Sequence, residues 1–212
     1  MPSRAWILGM DTSGAAPGLA LLALEEERLI ERGLDARVRG SRALLPALEA
    51  LLREAGARRE AIAAVGAATG PGTFTGMRVG LSTAKGLALG LGIPLYGVPS
   101  LEAMALGGWT QWSREGRTEE PAWLLPFRDA RQGELFWALF TPPEGPGVLP
   151  RRAGEDAVSA PAGIPLPAEG LGLACGASSD FPAGWRHPRL RHLELPASAP
   201  AEARQARAAL RR

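Results

Sequence analysis

The stretch best suited to anion chemistry is the loop at residues 70–76, which reads GPGTFTG between an apolar run and a helical pattern. A glycine-rich loop that leads from a strand into a helix directs backbone amides at an anion. The nucleotide fingerprints nevertheless fail, because Met77 and Arg78 stand where a Walker loop has Lys-Ser/Thr, and the glycine spacing misses the dinucleotide pattern. Two interpretations stay open: a ligand-binding loop, or a tight turn whose glycines permit the close approach of a helix.

A second polar turn follows the first apolar run, where Asp11, Thr12 and Ser13 precede Gly14. An aspartate at this position is able to lie beside a metal-bound phosphate, so these three residues are candidates for a vestigial nucleotide-binding site. The alternative is an Asx or Ser/Thr turn, in which the side chains bond only to nearby backbone groups.

The remaining residue types provide little catalytic chemistry. His187 and His192 are five residues apart, which is not a metal-ligand spacing, and neither lies beside a candidate nucleophile. Cys175, the single cysteine, lies in an apolar run and is predicted to be buried and inert. No pair of carboxylates and no Ser/His/Asp arrangement can be assembled. We therefore predict neither a catalytic residue nor a metal site.

The charge distribution argues against a uniformly polycationic nucleic-acid binder. The 212 residues contain 24 Lys and Arg against 22 Asp and Glu, a formal net charge of +2. Residues 186–212 hold seven arginines and two acidic residues, which leaves two interpretations open. The tail either contacts phosphate or an acidic partner, or it is a solvated helix end.

No membrane segment or targeting peptide is predicted. An apolar window without charge, residues 86–101, has 16 residues and contains two prolines, whereas a bilayer span needs about 20. A single cysteine fits a reducing compartment, since disulfide frameworks need pairs. We expect a cytoplasmic protein.

Hydrophobic patterning predicts an α/β first domain of the ribonuclease H-like type. Three short apolar runs indicate an antiparallel meander, and the helices and strands that follow indicate parallel crossovers. The predicted elements are strands at 5–10, 19–24 and from 29, a helix from 42 or 43 to 55, a strand at 62–68, a helix at 77–91, a strand at 93–98 and a helix at 101–106.

The second half repeats this pattern only in part. A hairpin is predicted around residues 128–133, a strand at 171–175 and a helix at 201–210. Residues 141–170 contain seven prolines and five glycines, so this segment is predicted to be irregular. We predict an N-terminal domain at 1–104 and a reduced domain at 105–212, whose last helix is free to pack back on the first domain.

The helix predicted at 77–91 is rich in small residues on more than one side. Gly80, Gly86 and Gly90 each cost about 0.5–1 kcal/mol relative to alanine in a helix interior. Such glycines indicate close contact with another element, either within the fold or on a partner. A partner is favoured, because one helix cannot turn every side to a single sheet.

Several segments occur in an order that a known family shares. They read ILGMDTS at 7–13, SRALLP at 41–46, GPGTFTGMRVGLSTAKGLA at 70–88, GIPL at 92–95, VPSLEA at 98–103 and DARQGE at 129–134. On these segments the sequence resembles the bacterial TsaB (YeaZ) family of tRNA threonylcarbamoyladenosine biosynthesis proteins. The resemblance covers residues 5–140 well.

The resemblance implies two ribonuclease H-like domains of the actin-like ATPase/Hsp70/sugar-kinase superfamily. It also implies a non-catalytic scaffold that activates TsaD, the transferase that modifies the adenosine beside the tRNA anticodon. The implied partners are TsaD and TsaE homologues, or a second copy of the chain in their absence, with tRNA reached through TsaD. No cofactor is expected on the chain itself, and ATP or ADP with Mg²⁺ would bind at a partner interface.

The resemblance and the small-residue helix together predict a contact surface on two adjacent helices. Its predicted residues are Leu44, Leu48, Leu51, Pro71, Phe74, Met77, Arg78, Leu81 and Lys85. Two other functions stay open. One is an ATP-dependent phosphotransferase of the same superfamily that uses Asp11 to hold Mg²⁺. The other is a glycoprotease-type metallopeptidase, which is disfavoured because residues 100–112 contain none of the histidines that such a metal site requires.

Overall fold

The computed structural model describes residues 5–26, 28–34, 41–145, 148–181, 185, 187–195 and 199–210. The chain divides into two compact units, and the first is discontinuous in sequence. It consists of Met1–Ala103 together with Pro196–Arg212, whereas the second consists of Met104–Leu195. The predicted second domain extended to residue 212. Its final segment, from Pro196 onward, belongs instead to the first unit.

The first unit is a five-stranded sheet with three helices of its own. Its strands and helices are β1 (Trp6–Asp11), β2 (Gly18–Ala23), β3 (Leu29–Gly33), α1 (Ser41–Ala55), β4 (Ile62–Ala68), α2 (Phe74–Leu91) and β5 (Leu95–Val98). The chain continues into α3 (Ser100–Arg114), and the last helix of the chain returns to this unit. The strand order is β3-β2-β1-β4-β5, with antiparallel pairing among the first three strands and parallel pairing from β1 to β4 and β5. This order is the predicted ribonuclease H-like layout.

Helices cover both faces of the first sheet. Leu8 and Met10 of β1 join the cluster that contains the apolar side of α1, whereas Ile7 lies in a second cluster with Ala203 and Ala206. These alanines belong to the C-terminal helix, whose Arg207 Nη1 donates hydrogen bonds to the carbonyl oxygens of Ala23 (3.1 Å) and Glu26 (3.2 Å). Because both faces are covered, the central strands are continuous apolar runs rather than alternating ones.

Two helices begin earlier than predicted. Helix α1 starts at Ser41 although Pro46 lies inside it, which places the proline beyond the first turn. Helix α2 starts at Phe74 rather than Met77, because the amide of Met77 already bonds to the Thr73 carbonyl (2.9 Å). The part of the glycine-rich loop that is predicted as irregular, residues 74–76, is therefore the first turn of the helix.

The second unit repeats the strand order of the first. Its strands are β6 (Trp123–Arg131), β7 (Glu134–Trp137), β8 (Phe140–Thr141), β9 (Arg151–Arg152), β10 (Ala157–Ser159), β11 (Gly172–Gly176) and β12 (Leu190–Glu194). The helix that follows, α4 (Ala199–Leu210), is the C-terminal helix of the first unit. The sheet order β10-β7-β6-β11-β12 matches that of the first unit, with β8 and β9 paired off this path. The prediction of a reduced second copy agrees with this order.

An irregular covering replaces a helix on one face of the second sheet. Ile164 is buried against the cluster that contains Trp123 and Phe127, and Leu166 packs beside it. Both residues come from the Pro- and Gly-rich segment, in which β9 and β10 are the regular strands that the structure describes between residues 142 and 170. Described residues of this segment therefore contribute to the core of the second unit, which the sequence alone did not indicate.

The predicted hairpin of the second unit is present and tight. Strands β6 and β7 pair antiparallel, with Arg131 opposite Glu134. Arg131, Gln132 and Gly133 all adopt positive φ angles of 74°, 55° and 81°. The Asp129 carboxylate accepts a hydrogen bond from the Arg131 amide (2.8 Å), which supports this left-handed backbone.

Within the ranges described above, the helices are all too short or too polar to span a bilayer.

Candidate functional site

Helix α2 lies in close contact with the turn that follows β1, residues 11–14, which we call the β1 turn. The Thr12 hydroxyl donates a hydrogen bond to the Gly76 carbonyl oxygen (2.6 Å). A Cβ atom added at Gly76 would lie under 3.0 Å from the Thr12 carbonyl oxygen, and one at Gly80 would lie equally close to the Thr12 hydroxyl. Two glycines one helical turn apart therefore make room for Thr12, which explains the inner small residues of α2.

The polar groups of the β1 turn bond within the first unit. The Asp11 carboxylate oxygen Oδ1 accepts hydrogen bonds from the Ser13 amide (2.7 Å) and the Ser13 hydroxyl (2.5 Å). Ser13 Oγ also lies 3.4 Å from Ser100 Oγ at the start of α3, and the Ser13 carbonyl accepts from the Thr73 amide (2.8 Å). Asp11, Ser13 and Ser100 are all buried. The predicted nucleotide-binding residues therefore lie together. Asp11 and Ser13 have the local contact of an Asx turn, whereas the Thr12 hydroxyl bonds to α2.

The opposite side of α2 is exposed and carries two large apolar side chains. Phe74 is 70% exposed and Leu89 is 87% exposed. Arg78 and Lys85 are exposed between them, and the Arg78 guanidinium lies 5.3 Å from the centre of the Phe74 ring. At 3.6 residues per turn these four residues share one side of the helix, which we call the outward face.

A groove runs beside the outward face. It encloses about 350 Å³ and is lined by Thr75, Arg78, Val79, Ser82 and Thr83. Three hydroxyl groups and a guanidinium in an open groove are able to hydrogen-bond an acidic or carbonyl group of an incoming chain. The groove therefore adds polar contacts next to the two exposed apolar side chains.

Gly86 and Gly90 lie on the side of α2 between the outward face and the inner glycines, Gly76 and Gly80. Among the described residues, no atom lies within 4 Å of a Cβ built at either position, apart from the helix's own backbone. These two glycines therefore differ from Gly76 and Gly80, since no close approach within the first unit accounts for them.

The predicted contact surface is wrong for three of its residues. Leu44, Leu48 and Leu51 are at most 2% exposed, because they form the inner stripe of α1 and pack against the sheet in the core of the first unit. A side chain already buried in its own core is unavailable to a partner.

The other predicted contact residues divide by exposure. Pro71, Met77 and Leu81 are half-buried, and Leu81 packs against the core. Phe74, Arg78 and Lys85 lie on the outward face, where their part in a contact stays a prediction. Leu89 was not among the predicted contact residues, although its spacing of four residues from Lys85 places both on one side of the helix.

His192 and Cys175 contribute to the packing of the second unit. His192 stacks on Phe181 with ring centres 4.2 Å apart, and its Nε2 lies 3.3 Å from the Gly176 carbonyl oxygen. Burial raises the pKa of the Cys175 thiol, whose sulfur faces Gly108 of α3 so closely that a Cβ there would overlap it. Over the described ranges, no group of three or more His, Cys, Asp or Glu residues is placed to hold a metal ion.

The two sheets define the class of the protein. Two units with one shared strand order, each an antiparallel meander continued by parallel strands, form the fold of the actin-like ATPase, Hsp70 and sugar-kinase superfamily. Two solved structures from Pseudomonas aeruginosa share the architecture. One is described as an uncharacterized protein with similarity to peptidase YEAZ, at a TM-score of 0.77 and 27% identity, covering 98% of this chain and 93% of that one. The other is described as YeaZ, at a TM-score of 0.72 and 28% identity, covering 97% and 91%.

A family model described as "TsaD: tRNA N6-adenosine threonylcarbamoyltransferase" matches residues 36–156, which is more than half of the chain. The chain belongs to this family, as a member of its TsaB/YeaZ group.

Two curated relatives carry the name tRNA threonylcarbamoyladenosine biosynthesis protein TsaB. The Escherichia coli protein is 39% identical over 97 residues, which is 46% of this chain and 39% of that protein. The Bacillus subtilis protein is 32% identical over 134 residues, which is 63% of this chain and 54% of that protein. The alignments thus span about half or less of the length of these relatives.

Proposed function

We propose that the chain acts in tRNA threonylcarbamoyladenosine biosynthesis as a non-catalytic partner of the TsaD transferase, which it binds through the outward face of α2. The single observation that carries the proposal is the exposure of Leu89 and Phe74 on one side of a helix whose adjoining glycines have no neighbour in the first unit. The names of the relatives supply the pathway.

The energetics favour a covered outward face. Burying a Leu or Phe side chain contributes about 1.5–3 kcal/mol, and both of these are left in water by the isolated chain. Gly86 and Gly90 together cost the helix about 1–2 kcal/mol relative to alanine. A partner helix packed close against α2 would offset both of these unfavourable contributions. Glycine allows the two backbones to approach, and the large apolar side chains then become buried.

The charges on the outward face indicate the chemistry of the surface that binds it. Helix α2 carries Arg78 and Lys85 and no acidic residue. A partner surface with carboxylates opposite these two cations, and with apolar groups opposite Phe74 and Leu89 on either side, would complement the face. Because Arg78 and Lys85 lie between Phe74 and Leu89, they would be near the centre of the contact, where a reversed charge would oppose the partner's carboxylates and lower the affinity.

The support for a non-catalytic role comes from the β1 turn. Its hydroxyl and carboxylate groups bond to one another and to α2, which is a structural use of the residue types that a phosphotransferase would direct at Mg²⁺. The proposal accordingly places ATP or ADP and Mg²⁺ at a partner interface rather than on this chain. It includes a TsaE homologue as a further partner, tRNA reached through TsaD, a homodimer when TsaD is absent, and a cytoplasmic location.

The direct test is co-elution with the TsaD protein of the same organism on a sizing column. The wild-type chain is expected to elute with TsaD, and Arg78→Glu to weaken the complex about tenfold or more, because it reverses the central charge of the outward face. Arg151→Glu, at an exposed arginine of β9 in the second unit, is the matched control and should co-elute as the wild type does. A wild-type chain that never co-elutes would overturn the proposal, as would Arg78→Glu with unchanged affinity.

A further inference from the structure

We propose that Thr12 is a positioning residue, which seats α2 on the β1 turn and thereby fixes the outward face. By seating we mean the position of α2 against the β1 turn, which is argued from contacts within the first unit alone. The effect of this position on partner binding rests on the proposed function.

The seating is a fit between one side chain and two glycines. Thr12 lies against Gly76 and Gly80, which are one helical turn apart on the inner side of α2. Its hydroxyl donates to the Gly76 carbonyl oxygen (2.6 Å), and its carbonyl oxygen lies where a Cβ of Gly76 would be. Any side chain on either glycine would push the helix away, so the distance of α2 from the sheet is set at Thr12.

A second tether acts on the residue just before the helix. The Thr73 amide donates to the Ser13 carbonyl (2.8 Å), and the Thr73 carbonyl in turn accepts from Met77 (2.9 Å). Consecutive residues of the β1 turn thus hold consecutive parts of the start of α2. Ser13 is itself fixed, because both its amide and its hydroxyl donate to Asp11.

The consequence reaches the outward face because two of its four residues, Phe74 and Arg78, lie on the same two turns of helix as Gly76 and Gly80. Phe74 and Arg78 flank Gly76 in sequence, and their side chains extend from the side of α2 that faces away from Thr12. A first turn that lifts or frays moves both side chains together. The β1 turn therefore acts on a partner from beneath the helix, without touching it.

The test compares two Thr12 variants by amide hydrogen exchange in the full chain. Thr12→Val keeps the shape and removes the donor, so exchange of the amides at residues 77–81 is expected to accelerate about threefold to tenfold, the equivalent of one lost hydrogen bond. Thr12→Ser restores the donor and should return exchange to within about twofold of wild type. Thr110→Val is the matched control, since it removes a like bond from a threonine to the Leu106 carbonyl (2.7 Å) in the second unit.

Partner affinity is the second readout, taken at a temperature at which every variant is folded. Thr12→Val is expected to bind TsaD about threefold to tenfold more weakly, with Thr12→Ser and Thr110→Val close to wild type. Unchanged exchange in Thr12→Val would overturn the seating, and faster exchange with unchanged affinity would overturn its link to the partner. Binding of Mg-ATP by the wild-type chain that Thr12→Val abolishes would assign the turn to nucleotide instead. If the wild type fails to bind TsaD, the proposed function fails, while the exchange data still decide the seating.

Discussion

Gly76→Ala is expected to destabilise the first unit by about 1–3 kcal/mol, although alanine is the better helix former. The added methyl group would lie under 3.0 Å from the Thr12 carbonyl oxygen, and a backbone atom held in a turn cannot rotate away as a side chain does. The helix must therefore shift from the sheet, or the β1 turn must open. We expect a lower urea concentration at the midpoint of unfolding, as monitored by circular dichroism.

Gly86→Ala is the matched control on the same helix, and its effect should have the opposite sign. No described atom outside the helix backbone lies within 4 Å of a Cβ at this position, so the substitution gains helix propensity without a clash. We expect it to stabilise the chain by about 0.5–1 kcal/mol. Equal effects of the two substitutions would contradict the assignment of two different roles to the glycines of α2.

Leu89→Glu is expected to leave the fold intact and to weaken the complex with TsaD at least tenfold. The side chain is 87% exposed, so its replacement changes little in the isolated chain. In a complex that covers the outward face, the same change removes about 1.5–3 kcal/mol of apolar burial and places a carboxylate in a desolvated contact. Titration calorimetry with TsaD measures the affinity, and thermal unfolding measures the fold.

Val158→Glu separates this effect from a general loss of surface hydrophobicity. Val158 is another exposed aliphatic residue, at 48%, but it belongs to β10 in the second unit. It should bind TsaD with wild-type affinity. An equal loss of affinity in Leu89→Glu and Val158→Glu would contradict a contact centred on α2.

Local sequence signals were sufficient for most of the first sheet. Strands β1, β2 and β4 are short apolar runs bounded by polar turns, and their type and order follow from that pattern. The hairpin of β6 and β7 was predicted from an equally local signal, since polar residues and a glycine lie between two apolar runs. Strand β12 was missed because it mixes charged residues with leucines at the edge of a sheet, where only its parallel pairing with β11 defines it.

The sequence could not predict whether an apolar stripe on a helix faces the core or a partner. The leucines of α1 have the spacing of an apolar stripe, and that spacing is the same whether the stripe faces the helix's own sheet or a partner. Helix α3 runs to Arg114 through two glycines that predict an end near Leu106, because Gly108 is needed for contact with Cys175. Long-range packing decided both cases.

The same limit applied to the small residues of α2. The sequence shows that they occur on more than one side, and it leaves open which of them face the fold. The structure pairs Gly76 and Gly80 with Thr12 and leaves Gly86 and Gly90 uncovered. The first pair therefore has a role within the fold, and the second pair is available to the proposed contact.

The most direct test of the outward face uses the single lysine of the wild-type chain. Lys85 is the sole lysine in the sequence and is exposed at the middle of that face, so acylation by excess reagent marks one side chain that mass spectrometry reads without mutation. With TsaD at a saturating concentration, the rate of Lys85 acylation should fall about tenfold or more, because the partner covers it. A rate unchanged by saturating TsaD would contradict the contact.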